Sequence, residues 1–487
     1  MAGTVKLEKL GKPGVFIACD TFADAAKSAA EDNAMPAVRI RIISAAEFYR
    51  VRGSVSEVMP LAERVLDDLI DALTIPLTAN ETGTQKKDEG AENAVVTITG
   101  ESFSTALEEF NKVFLDNLWG DGLPLVPPTP ERVKWMLSGT SRSPYEIVGK
   151  VPPKQGMATI EKIAINAVMA GAKPEYLPVI IAAMEALTDK DYDSRHILLS
   201  AGSFSLMIVV SGPIANEIGM RSGIGFLGHG WRANNTIGRA VRLATLNIGH
   251  IWPALNDMAL TGRISPHTFF TFAENADLNA WGPYHVTQGY KAEDSCVTVA
   301  TIGVGRTFYG GSIGTWTAQG ILDRIVQNVL GVGRMMFGSW GSRGVGEIPG
   351  SGGGVTRHLI ILFPAITAEL KKLGMNDRLS LQDEIYKKAV VRYEDLSPAE
   401  VQSIQTALGP GYEMAIPPER RQIFRNALTP GGIVPVQVSP RDITIFVAGN
   451  APGDATGFDY LRLPPYKPTG ILTKKITGAT LTKNGRK

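Results

Sequence analysis

A chain of 487 residues, 44% hydrophobic and 20% charged, has a globular composition and the length for roughly two to four domains. Its 49 basic residues stand against 48 acidic ones, with no dense basic run before the C-terminal stretch KKITGATLTKNGRK, which reads as a solvated tail, so no nucleic-acid footprint is expected. Two cysteines, Cys19 and Cys296, are too few for a disulfide framework or a thiolate-rich metal site, and no apolar run reaches the roughly 20 residues of a membrane span. The N-terminus MAGTVKLEKLGKPG also lacks the apolar core of a secretory signal. The expectation is a cytoplasmic protein with no membrane or nucleic-acid partner, acting on small molecules and assembling as a homo-oligomer.

In chain order, GVFIACD reads as a short strand, TFADAAKSAAEDN as an alanine-rich helix, and AVRIRII as a second strand. SEVMPLAERVLDDLIDAL follows as a helix in which Val58, Leu61, Ala62, Val65, Leu66, Leu69, Ile70 and Leu73 keep the 3.6-residue period. Strand-helix-strand-helix implies a parallel sheet, so residues 1–77 are expected to form a small α/β domain. TANETGTQKKDEGAEN is nearly free of large apolar residues, which makes 78–94 a polar linker.

Residues 95–487 read as one larger α/β domain carrying the active site. Apolar runs at 206–213, 297–305, 358–365 and 442–450 are typical of strands buried on both faces. Helical segments lie between them: ATIEKIAINAVMAG, PEYLPVIIAAMEAL, NTIGRAVRLATLNI, TAQGILDRIVQNVLG, SLQDEIYKKAVV and SPAEVQSIQTAL. The last opens with Ser397, Pro398 and Glu400 in a capping-box pattern.

The stretch 223–242, GIGFLGHGWRANNTIGRAVR, runs from a glycine-dense loop into a helix on which Asn235, Arg239 and Arg242 share one face. With Arg232 and Asn234 at its start, this segment is a candidate site for a ligand carboxylate or phosphate, because buried arginines need anionic partners. The alternative is that Arg239 and Arg242 pair with internal carboxylates and hold the fold. Lys162 and Asn166, with Thr159, align on one side of the ATIEKIAINAVMAG helix, where they can steady a developing oxyanion or simply form a solvated face.

Six histidines occur in the chain. His229, between two glycines, is a candidate general acid or base. In FTFAENADLNAWGPYHV, Glu274, Asn275 and His285 fall within twelve residues, and the Trp281-Gly282-Pro283 turn brings His285 back toward Glu274 as a candidate proton-transfer pair. No HExxH or comparable spacing supports a metal there. His196, His250 and His358 border apolar runs and read as structural. The glycine-rich run 337–358, with Arg343 within it, is neither a P-loop nor a dinucleotide fingerprint and reads as an active-site loop or a solvent loop. No nicotinamide, flavin or nucleotide motif is visible, so catalysis without a cofactor is the default. Cys19 and Cys296 read as structural core cysteines.

The strings DGLPLVPPTPERV (121–133), ATIEKIAINAVMAGAKPEYLPVIIAAMEAL (158–187), RANNTIGRAVRL (232–243) and FAENADLNAW (272–281) resemble bacterial proteins linked to the UGSC family of selenocysteine- or cysteine-containing proteins. The unit from Pro13 to about Thr74 is similar to the latter part of the UGSC-type domain. The naming motif, selenocysteine or cysteine followed by Gly-Ser-Cys, is absent here, so the resemblance implies thiol or selenol chemistry only if a second subunit supplies it. Two expectations follow. One is an enzyme acting on a small anionic organic molecule by acid-base chemistry, as a lyase, hydratase or hydrolase. The other is a non-catalytic subunit that binds a thiol- or selenol-bearing partner protein.

Overall fold

The computed structural model describes residues 2–32, 35, 37–48, 55–77, 95–200, 202–253, 255–312, 317–340, 357–409, 418–437, 439–449, 454–462 and 470–480. The linker expected at 78–94 lies outside them, as does Arg343. Strands β1 (Val15–Cys19) and β2 (Arg39–Ile43) pair in parallel, joined through the Ala23–Asp32 helix, so the small α/β unit has the sheet its pattern predicts. Arg39 donates to the carbonyls of Ala72 and Pro76, tying β2 to the C-terminal end of the Val55–Thr74 helix. Val5, Ala30 and Val38 form its small core, and Leu66, Ile70 and Leu73 of the predicted apolar stripe are exposed.

The larger region begins with the Phe103–Asp116 helix and a hairpin of β3 (Ile147–Val151) and β4 (Gly156–Thr159). The main sheet takes in β5 (Ser205–Ser211), β6 (Phe270–Ala273), β7 (Cys296–Ser312) and β8 (Arg357–Leu362). After a small antiparallel pair, β9 (Val390–Arg392) and β10 (Ile433–Pro435), it is completed by β11 (Ile443–Val447), β12 (Asp454–Arg462) and β13 (Ile471–Lys475). Among the described residues the order is β11-β8-β12-β7-β5-β6, with β13 also on β7. Parallel pairs β8/β11 and β5/β6 flank an antiparallel centre, so the fold is α/β with a mixed main sheet. The apolar runs expected to be strands are β5, β7, β8 and β11, and β5 and β11 are buried along their whole length.

Alternation along these strands divides the interior. Met207, Val209, Phe272, Leu359, Ile361 and Phe446 point to one core. Ile208, Val210, Val297 and Val299 point to the Ile160–Met169, Leu177–Thr188 and Arg232–Gly249 helices on one flank. Ile360, Leu362, Ile443 and Ile445 meet the Ala318–Trp340, Pro364–Lys371 and Arg378–Lys388 helices on the other. A strand whose two faces both meet apolar layers carries no polar alternation, as these runs do not. The sheet curls until the ends of its edge strands meet, with the Asn275 amide donating to the Val447 carbonyl at 2.9 Å. No described helix is long and apolar enough to cross a membrane.

Candidate functional site

The polar residues that stand out in sequence fall into two kinds of place. At the seam of the curled sheet, Glu274 is buried and ion-pairs with Arg378 at 2.9 Å, and it also accepts from the Tyr284 amide at 2.6 Å. Burial pushes its carboxyl above the ordinary range, opposed by Arg378 and by the Tyr284 and Val447 amides. Arg378 reaches across to the Ile445 carbonyl, so the pair clamps β6 to β11. Asn275 does the same with its side chain, donating to the Gly449 carbonyl and accepting from the Leu278 amide. His285 is fully buried between Ser211 Oγ and the Lys291 carbonyl. The structure thus gives Glu274 and His285 separate hydrogen-bonding partners and not each other. Both serve the seam and its neighbouring turn.

The glycine loop before the Arg232–Gly249 helix satisfies itself. Asn234 accepts from the Arg221 amide and donates to the Arg221 and Phe226 carbonyls, and Asn235 donates to the Trp231 carbonyl. Arg232 donates to the Gly171 carbonyl at the end of the Ile160–Met169 helix. His229 is exposed. Arg239 takes the alternative foreseen for it: its Nε and Nη2 each meet Asp121 at 2.8 Å. Burial raises the Asp121 carboxyl, but Arg239, the Leu123 amide and His267 together hold it below its ordinary value.

Lys162 and Asn166 have a different setting. They line a cavity of about 330 Å³ with Phe114, Trp119, Asn247 and His250. A second cavity of about 180 Å³ adjoins it, sharing Trp119, Asn247 and His250 and adding Lys154, Trp252 and Asn256. Together they form a groove between the Phe103–Asp116 helix, the Ile160–Met169 helix, the β3–β4 turn and the C-terminal end of the Arg232–Gly249 helix. Among the described residues no carboxylate lines either cavity, whereas two lysines and a histidine do.

Local chemistry explains how each group arrives. Thr159 caps the Ile160–Met169 helix by accepting from the Lys162 amide, which sets Lys162 in its first turn. One turn on, Asn166 donates to the Lys162 carbonyl and its Oδ1 accepts from Asn247 Nδ2 at 2.7 Å, joining the two helices across the groove floor. That leaves Asn247 Oδ1 buried with no hydrogen-bond donor among the described residues, and a buried acceptor without a donor costs roughly 1–3 kcal/mol. His250 ends its helix with φ 56°, in the left-handed region that glycine usually takes after a helix, which swings its ring out to the groove. The Asn256 amide holds the His250 carbonyl at 2.6 Å.

The β3–β4 turn approaches so closely that a Cβ at Gly156 would lie 1.9 Å from the Ile248 carbonyl oxygen, and one at Gly249 would lie 2.5 Å from that of Pro152. Only glycine permits this approach, and it brings Lys154 to the helix end, where the Lys154 amide donates to Gly249 O. Desolvation in the groove, and then the charges of Lys154 and Lys162, lower His250 below its ordinary value. The ring is therefore neutral near pH 7 and able to accept a proton.

Of the residues that line these cavities, the sequence singles out Lys162 and Asn166, groups His250 with the structural histidines, and gives no signal for Lys154 or Asn247. The available signal was the His250 position itself: a polar residue following Gly249 at the end of a 3.6-period helix is a helix-terminating cap, and a cap faces outward. Cys296 is buried, and burial, with Asp294 second, pushes its thiol up to about 12, so it is no nucleophile. Neither a scan of the chain against protein-family models nor a search of curated proteins finds a match.

Proposed function

We propose that the protein is an enzyme acting on a small anionic organic molecule by acid-base chemistry, as a lyase, hydratase or hydrolase, with the groove as its active site. The observation that carries this reading is the convergence of Lys154, Lys162 and His250, from three separate elements, on a groove that no described carboxylate lines. The lysines attract and hold a carboxylate or phosphate. Trp119, Phe114 and Trp252 supply apolar and aromatic walls for its organic part. Neutral His250 takes the proton, Lys162 steadies the charge that develops, and Asn247 Oδ1 accepts a hydrogen bond from a substrate hydroxyl or amine.

His250→Asn is the variant of choice, because asparagine tolerates the left-handed backbone at that position. Its turnover, measured over a panel of small carboxylic acids and phosphate esters, is expected to fall about 10²–10⁴-fold with folding intact. Full activity in that variant, or wild-type protein inert toward the whole panel, would sink the reading.

A second reading, a subunit that docks a thiol- or selenol-bearing partner, draws support from Ile17, Ile42, Leu66 and Ile70, which the small N-terminal unit leaves 44–50% exposed. Native mass spectrometry of the protein from its own host separates the two: a stoichiometric second chain carrying a Cys-Gly-Ser-Cys type motif favours the subunit.

A further inference from the structure

Arg239 and Arg242 lie on the Arg232–Gly249 helix, Arg263 is near enough to act on Arg242, and two of these three arginines are matched by a carboxylate. Arg239 meets Asp121 through Nε and Nη2, both at 2.8 Å. Arg263 meets Asp257 through the same edge, Nε at 3.0 Å and Nη2 at 2.6 Å. Arg242, one turn after Arg239, is 8% exposed, and its guanidinium makes no hydrogen bond to any described residue. The two nitrogens that lie beneath the surface without a partner are again Nε and Nη2, the edge whose parallel donors fit a carboxylate. Burial, and then Arg263, lower the Arg242 guanidinium to about 10, while Asp257 and Asp121 act in the opposite sense without bonding to it.

The surroundings hold this side chain in place. Phe269 lies under the guanidinium, 4.0 Å from its carbon to the ring centroid. To put the ring there, Phe269 adopts φ 52°, a conformation that costs a residue of its kind roughly 1–2 kcal/mol. Ser265 Oγ donates to the Phe269 carbonyl and keeps it so. Gly238 lets this loop reach the helix, since a Cβ there would fall 1.7 Å from the Thr268 carbonyl oxygen. A strained aromatic platform beneath an unmatched buried cation is a costly arrangement unless an anion completes it.

We infer that Arg242 is a binding site for the carboxylate of a small molecule, taken side-on by Nε and Nη2 with Phe269 beneath. The site goes beyond the proposed groove chemistry and stands or falls separately from it. The test is thermal unfolding of the full chain in sodium acetate against sodium chloride at matched ionic strength, with nitrate and phosphate alongside. Acetate is expected to raise Tm in a saturable way. Arg242→Met should weaken that response at least about 10-fold while remaining as stable as wild type in chloride, since it replaces a buried unmatched charge by an apolar chain. Arg242→Lys keeps the charge but loses the two-donor edge, and it should also lose most of the response, which keeps the test decisive if the methionine variant does not fold. Lys162→Ala weakens acetate binding in the groove and should retain the Arg242-dependent part. No saturable acetate effect, an unchanged effect in both Arg242 variants, or an Arg242-dependent response to phosphate or nitrate as large as that to acetate would overturn the assignment.

Discussion

The seam and the groove both gather polar and charged side chains and differ in how those groups are partnered. At the seam Glu274 has Arg378, Asn275 has two backbone partners, and His285 has Ser211 and Lys291, so each polar group spends its bonding capacity on the fold. In the groove Lys154 and Lys162 have no ion pair among the described residues, and Asn247 Oδ1 has no donor. Matched buried charges hold strands together. Exposed charges without a partner that face a cavity, as Lys154 and Lys162 do, are places where a ligand can still be recognised. Arg239 and Arg242 repeat the contrast one helical turn apart.

Breaking the seam should give the largest effect. Glu274→Ala strands Arg378 without a counter-charge and is expected to cost roughly 3–5 kcal/mol in denaturant unfolding. If the seam is architecture alone, anion binding in the groove of the folded fraction stays unchanged, and a loss of affinity there would erase the distinction drawn between the two regions. Lys162→Ala should do the reverse. Calorimetric affinity for a groove-bound anion is expected to drop about 10-fold, and stability should stay within about 0.5 kcal/mol, as for an exposed side chain outside any network.

The smallest effect is one of pH. The folded-state pKa of His250 lies below its ordinary value of 6.5, so the unfolded chain binds this proton more readily. Stability from the neutral ring is complete above the unfolded pKa and is lost as pH falls through the folded one. The difference in stability between wild type and His250→Asn should therefore shrink as pH falls below about 6.5. Lys154→Ala, by removing a repelling charge, should move that window toward the ordinary value. A difference curve that is flat with pH would remove His250 from the groove chemistry.

What was legible in the sequence was local. The runs that became β5, β7, β8 and β11 are uninterrupted because both of their faces meet apolar layers. The capping box at Ser397 is present, with Ser397 N donating to Glu400 Oε2 at 2.8 Å and Glu400 N to Ser397 Oγ. The pairings that join distant elements are long-range, and periodicity carries no information about them. Arg239 and Asp121 are 118 positions apart, and Glu274 and Arg378 are 104 apart. Lys154 sits in a short turn whose sequence, VPPKQG, has no period at all. His250 reads as structural from its apolar sequence neighbours, while its positive-φ backbone and place in the groove lining are not visible there.

Gly156 fits against the Ile248 carbonyl and Gly249 against that of Pro152, and this has an evolutionary consequence. The lysine the turn delivers can drift to arginine or move by one position without disturbing the main chain, but neither glycine has a neighbour of similar size to drift to. In any lineage that keeps the groove, these two positions should be fixed before the charged residues around them are. A related sequence with a side chain at either one would have surrendered the groove, however many of its lysines and histidines survived.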